Sequence, residues 1–491
     1  MLHYKFKNAP YPLLLPVSIL SIITLLLTCS GCKKLLTVNA PTTSLNTANV
    51  YSSDATSIAV LTAIYTNISN SSILQGGLTS MSLFPGLSAD EFSLYAGANN
   101  QNLTAYYTNT LSNNNTGGTD FWNNIYPIIY NANAAIQGLT GNTSLTPAVD
   151  QQLLGEAKFI RALCYFYLTN LYGDVPLVTT IDYKANEQIA RTDQKTVWNQ
   201  VTTDLISAQQ ELSTNFLDGT LLAVTDERVR PTSWAATALL ARTYLYRQVW
   251  DSAEIEASLL INNNGLFSLA GLYSVFLANN NEAIWQLQPV AGGQNTPDAQ
   301  VFIVPATGPS SFRPISLSPS LLNSFETGDQ RKIAWVDSVQ ALGTTYYFPF
   351  KYKIDSIGAP VTEYETVFRL GEQFLIRAEA KAEQGNITGG NGALADINVI
   401  RYRAGLSNYS GLQDPGSVLG AILHERRVEL FSEWGHRWLD LKRTNSIDSV
   451  MGSPVNAASA KNGSWSSYKQ LYPISLVELQ TDPAITQNNG Y

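Results

Sequence analysis

The sequence predicts a mainly helical, all-α fold in which tetratricopeptide-like helix pairs form a scaffold carrying a loop-rich ligand-binding lobe. Three observations predict it. Apolar residues recur at helical spacing in segments spread along nearly the whole chain. In two places small residues stand where paired helices would cross: Ala235, Ala238, Ala253 and Ala257 in one, and the alanines of RLGEQFLIRAEAKAEQG and ALADINVIRYRAGL in the other. Ala lets two helix axes approach closely, which is the physical mark of such pairs. Between these segments, long stretches rich in Gly, Asn, Ser and Pro lose the period altogether.

The first 31 residues read as a leader. Lys5 and Lys7 precede an apolar run from Leu13 to Leu27, and Ser30 and Gly31 then stand before Cys32. This is a secretory signal peptide over 1–31 ending in a lipobox-like site, with Cys32 as the lipidated residue and Cys29 where such boxes usually carry Leu. The run falls short of the ~20 residues that a membrane span requires.

A first helix is expected from Ser57 to Ile68, where Ile58, Leu61, Ile64, Tyr65 and Ile68 share a face. Asn70 to Gly118 then reads as a long loop, punctuated by Phe84, Phe92, Tyr95, Tyr106 and Tyr107 and by asparagine runs. Helical period returns from Phe121 to Ile136, with Trp122 in the core stripe, and again from Leu153 to Leu171, where Gly173 and Pro176 stop it. Val197 to Leu212 forms another helix, Trp234 to Leu260 the first clear pair, and Arg369 to Leu406 the second, linked through Gly389 to Gly392. Pairing 57–68 with 121–136, and 153–172 with 197–212, would complete a short solenoid. Within Asn262 to Glu365 only Glu282 to Leu287 reads as a strand.

The run from Leu419 to Arg443 is read as a helix with an apolar face that is interrupted by charge. Arg426, Glu429, Glu433 and Arg437 follow one another at spacings of three or four along one ridge, so the expectation is a continuous intrahelical ionic ladder. Buried charges need such partners. Gly435 permits a bend before Trp438, Leu439 and Leu441.

Two long motifs carry a family resemblance. ERRVELFSEWGHRWLDLKR resembles the C-terminal signature of the SusD/RagB family, and the ending LYPISLVELQTDPAITQNNGY is similar to that family's apolar strand with Pro, Pro-bearing turn and terminal Gly-Tyr. LLGEAKFIRALCYFYLTNLYGDVPLV and CKKLLTVNAPTTSL agree. The resemblance implies one SusD-like domain over 32–491, with a helical part to about 270, an insert over about 271–365 and a helix pair and signature from about 366. It also implies a lipid-anchored protein of the cell outer membrane, facing outward, that captures oligosaccharides and passes them to a SusC-like TonB-dependent transporter. Ligands differ among such proteins, and assistance by calcium stays open.

Composition narrows the chemistry. With a formal charge of −8 and pI near 5.1, the chain lacks the basic face that nucleic acid requires. Only 14% of residues are charged while 25 are Tyr and nine are Trp, which suits neutral polar ligands. Sugar rings pack their CH faces on aromatic rings while short polar side chains bond the hydroxyls. Tyr95 with Asn99 and Asn102, Tyr106 with Tyr107, and Tyr346 with Tyr347 are therefore the candidate ligand residues.

Catalysis and metal binding find less support. Glu429 and Glu433 would suit a glycoside hydrolase only if one had a raised pKa, and flanking arginines oppose that. His424-Glu425 opens a zinc-helix pattern, but Val428 stands where its second His belongs, so no metal site is expected. Cys164 lacks a free His partner and reads as a buried small residue. A helical glycoside hydrolase and a protein-binding scaffold lipoprotein are the alternatives to a non-enzymatic nutrient receptor.

Overall fold

The computed structural model describes residues 50–491 apart from 71–73, 75–76, 117–120, 342, 454–460 and 462. The leader and Cys32 lie outside the described residues. Tyr51–Tyr491 make up one unit. Its longer helices are α1 (Asp54–Asn70), α2 (Phe121–Leu139), α3 (Pro147–Tyr172), α4 (Gln194–Glu211), α5 (Ser233–Tyr246), α6 (Trp250–Ile261), α7 (Leu370–Glu383), α8 (Ala393–Arg403), α9 (Pro415–Glu429) and α10 (His436–Arg443).

From α2 to α8 each helix packs on the next, and α9 also packs on α7. The solenoid is therefore continuous although more than a hundred residues separate α6 from α7. Its joints are made as the alanine pattern predicts. Ala241, Leu245, Ala253, Ala257, Ile376 and Ala380 are all fully buried together where α5, α6 and α7 meet. Helix ends follow local chemistry. Asp193 accepts a bond from the Thr196 amide at 3.0 Å to start α4, Asp414 does the same for Ser417 at 3.0 Å to start α9, and Gly173 at φ 79° closes α3.

One pairing differs from expectation. α2 packs chiefly on α3, while α1 touches both, so α1 and α2 are not a closed pair. Gly138 explains part of this placement, since its missing Cβ leaves room for the Tyr51 ring just before α1.

Strands are short and antiparallel: β1 (Phe92–Leu94), β2 (Ala283–Leu287), β3 (Ile315–Leu317), β4 (Val336–Ala341), β5 (Thr344–Pro349) and β6 (Glu365–Arg369). β1 pairs with β3, β2 with β6, and β4 with β5. The last strand runs straight into α7, so the buried β2–β6 ribbon ties the insert to the solenoid.

Three further expectations change. The segment from 70 to 118 is not an open loop: Leu78–Ser88 is buried throughout, as two short helical turns. The end of the chain forms no strand at Tyr472–Ile474. Instead Ser475 accepts the Glu478 amide at 3.2 Å and starts a short helix, Leu476–Thr481. The signature helix stops at Glu429, because Ser432 and Trp434 adopt left-handed backbone at φ 55° and 45°. Its orphan Glu429 carbonyl accepts from Lys351 Nζ at 2.8 Å and Arg369 Nη2 at 2.9 Å.

Candidate functional site

An open groove of about 930 Å³ lies beside β1 and the short helix Gln101–Tyr107. Local backbone chemistry shapes it. Pairing of β1 with β3 is extended by the Tyr95 amide, which donates to the Pro314 carbonyl at 2.7 Å and holds Tyr95 at the groove edge. Asn99 then takes a left-handed conformation at φ 48°, which Asn tolerates better than most residues. Asn100 caps the next helix by accepting from the amides of Asn102 and Leu103 at 3.0 and 3.2 Å. Tyr95, Asn99, Asn100, Gln101, Thr104 and Tyr107 consequently face a common space.

Of the residues expected to touch ligand, Tyr95, Asn99 and Tyr107 line this groove. Asn102 does not line it, although its amide is held by Asn100. Tyr106 points the other way: it is 1% exposed, its ring lies 4.5 Å from that of Phe84, and its hydroxyl donates to the Thr116 carbonyl at 3.3 Å. The reason is helical geometry, since neighbours on a helix face about 100° apart and only Tyr107 of the two can look outward. Tyr346 and Tyr347 sit on the β4–β5 hairpin opposite Val339 and Ser338, outside the groove lining, with Tyr347 40% exposed.

Lys461 is among the groove residues that sequence reasoning missed, with Thr104, Thr108 and Thr110. It lies far along the chain in a stretch without period and carries no motif. Its ammonium donates to the carbonyls of Leu87, at 2.7 Å, and Ala89, and stands 4.9 Å from the centre of the Tyr107 ring. Burial pushes the Tyr107 hydroxyl up, keeping it neutral.

The expected ladder along Arg426, Glu429, Glu433 and Arg437 does not form. Arg426 instead meets an acid in the following helix, and Glu429, Glu433 and Arg437 meet partners from distant parts of the chain, because the helix ends before Glu433 and turns Arg437 away. Arg426 pairs with Asp440 at 2.7 Å, and Arg437 with Asp90 at 2.7 Å. Glu429 accepts from Arg369 at 2.6 Å, from Arg331 at 3.2 Å and from Arg403. Glu433 accepts from Arg369 at 2.8 Å and from Lys351. Burial alone would raise both carboxyls, but these cations outweigh it and hold both below the usual carboxylate range. Neither can serve as a proton donor.

The same network reaches the groove. Asp90 sits behind Lys461 and is clamped by Arg427 and Arg437, both at 2.7 Å. Burial acts to raise Asp90, yet the two guanidiniums bring it down to about 2. Its neighbour Glu91 is raised to about 7, by burial first and then by Asp90.

Among the described residues no group of His, Cys, Asp and Glu has the layout of a metal site. Cys164 is buried in α3, and burial pushes its thiol up. Asp298 and Glu365 are acids that burial does raise, Asp298 to about 8, but they are 2% and 3% exposed. A general acid must touch its substrate; Asp298 is enclosed, and Glu365 borders a separate cavity of about 220 Å³ away from the groove described above.

A helical solenoid carrying an irregular insert with an open polar-aromatic groove defines a class of binding proteins. Comparison with known proteins makes the class specific. A family model described as SusD family matches residues 336–491, and one described as starch-binding associating with outer membrane matches residues 40–245. SusD-like protein P25 of Formosa agariphila is 28% identical over 76% of this chain and 80% of its own length. A crystal structure of a SusD superfamily protein from Bacteroides vulgatus matches at a TM-score of 0.75 and 22% identity, covering 89% of this chain and 99% of that one. A laminarin binding SusD-like protein matches at 0.71 and 24%, with the same coverage. The chain belongs to the SusD/RagB family.

Proposed function

We propose that this protein captures an oligosaccharide in the groove between Tyr95 and Tyr107 and releases it unchanged to a TonB-dependent transporter, while a lipid on Cys32 tethers it outward from the outer membrane. The carrying observation is the groove itself: two tyrosines stand beside Asn99, Asn100, Gln101 and Thr104, and among the described residues no Asp or Glu lines it. Stacking on tyrosine and bonds from short amides suit sugar rings, and a lining without carboxylates offers no acid–base pair for hydrolysis. The laminarin-binding relative of the same fold supports a glycan ligand. Outer-membrane residence is supported by the description of the family matched over 40–245. Among the described residues no helix is long and apolar enough to cross a membrane.

Affinity electrophoresis against a polysaccharide panel, followed by calorimetry on oligosaccharides, tests the reading. Tyr95→Ala is expected to weaken the best ligand about tenfold or more, since base-like stacking on an aromatic ring contributes about 1–3 kcal/mol. Unchanged affinity in a folded Tyr95→Ala protein overturns the groove assignment. Release of reducing ends by the purified protein overturns the non-catalytic reading.

A further inference from the structure

We propose that the groove selects glycans bearing carboxylate groups, and that Lys461 is the residue that reads them; this rests on the groove being the glycan site. Among the described residues the groove lining contains one charged side chain, and it is a cation. Fixation of that charge is the first argument. Lys461 donates to the carbonyls of Leu87 and Ala89, which occupy two of the three ammonium protons and leave one for a ligand. Placement is the second. The ammonium lies over the Tyr107 ring, 4.9 Å from its centre, and so stands inside the groove among the side chains that a bound sugar would meet.

The surroundings of Lys461 decide the sign of the wall. Asp90, directly behind it, is held by Arg427 and Arg437, each at 2.7 Å. Glu91 also acts on Lys461, and Asp440 acts on Arg437. Within this cluster Lys461 is the member that lines the groove, so the charge a ligand meets there is its ammonium. Burial lowers the Lys461 ammonium to about 7, and an anion beside it would favour the charged form, so ligand charge and lysine protonation reinforce each other. The chain as a whole is formally −8, which repels acidic polymers at long range. Attraction must therefore be local to the groove and lost when salt screens it.

Calorimetry on the full protein, with uronate oligosaccharides prepared from alginate and pectin and neutral laminari-oligosaccharides of equal length, provides the test. We expect a uronate ligand to bind about tenfold more tightly than the neutral ones and to weaken about tenfold between roughly 50 mM and 500 mM NaCl, with neutral binding flat across that range. Lys461→Met should remove the preference, and Lys461→Arg should keep it. Equal affinity for both classes, salt-independent uronate binding, or a Lys461→Met protein that loses both ligands equally would each overturn the proposal. If Lys461→Met does not fold, the salt series on the unaltered protein decides alone. Loss of neutral binding in Tyr95→Ala, with no charge preference in any variant, would sink the role of Lys461 and leave the site in place. No response of any glycan to Tyr95→Ala would sink the site itself.

Discussion

Asp298 and Glu365 form a buried carboxyl pair that has to keep a proton. Each is pushed up, by burial first and then by the other or its neighbours, Asp298 to about 8. In the unfolded chain both titrate near 4. Between those values the folded protein holds a proton that the unfolded chain has released, so stability is full in mild acid and falls as pH rises toward 8. One retained proton makes that loss about 2–3 kcal/mol from pH 5 to pH 7. Asp298→Asn keeps the shape and removes the acid, so its stability should vary less over this range than that of the unaltered protein. Urea midpoints at both pH values check this, and parallel pH profiles for the two proteins would refute it.

Helix pairing was legible one element at a time because its causes are local. The period of apolar residues marks each helix, and alanine marks each crossing. Ala380 is an instance: it is fully buried among Ala241, Leu245, Ala253, Ala257 and Ile376 where three helices converge. A larger side chain there has no space to enter without moving a helix axis. Ala380→Leu should cost about 1–3 kcal/mol by overpacking. A chemical-denaturation midpoint unchanged by this substitution would show that the joint is loose. What the period did not show was which helix lies beside which. α2 prefers α3 over α1, because packing depends on the shapes of faces that are brought together only once the chain is folded. The signature helix teaches a related point. Its orphan Glu429 carbonyl is satisfied by Lys351 and Arg369, which lie 78 and 60 residues earlier in the chain.

Arg369 joins the parts of the molecule. Standing at the end of β6, it bonds Glu282 beside β2 at 3.0 Å, Glu429 at the end of α9 at 2.6 Å and Glu433 in the following turn at 2.8 Å. Insert, solenoid and signature thus share one buried guanidinium. Arg369→Met would leave three buried carboxylates short of a partner, and a loss of about 3–5 kcal/mol is expected. Circular dichroism with urea titration would measure it, and a loss below about 1 kcal/mol would mean that the remaining cations suffice.

The sequence by itself determined the helical class, the paired architecture, the family and the presence of buried charges needing partners, because each rests on periods, small residues or motifs that are contiguous in the chain. It also singled out Tyr95, Asn99 and Tyr107, which share a short stretch with the polar residues around them. Only the tertiary structure decided that Tyr106 is core, that Lys461 joins the groove from more than 350 residues beyond Tyr107, and that the four signature charges bind other partners instead of one another, three of them in distant segments. The physical reason is the same in each case. An electrostatic or stacking partner is chosen by distance in space, and no spacing rule along the chain encodes it.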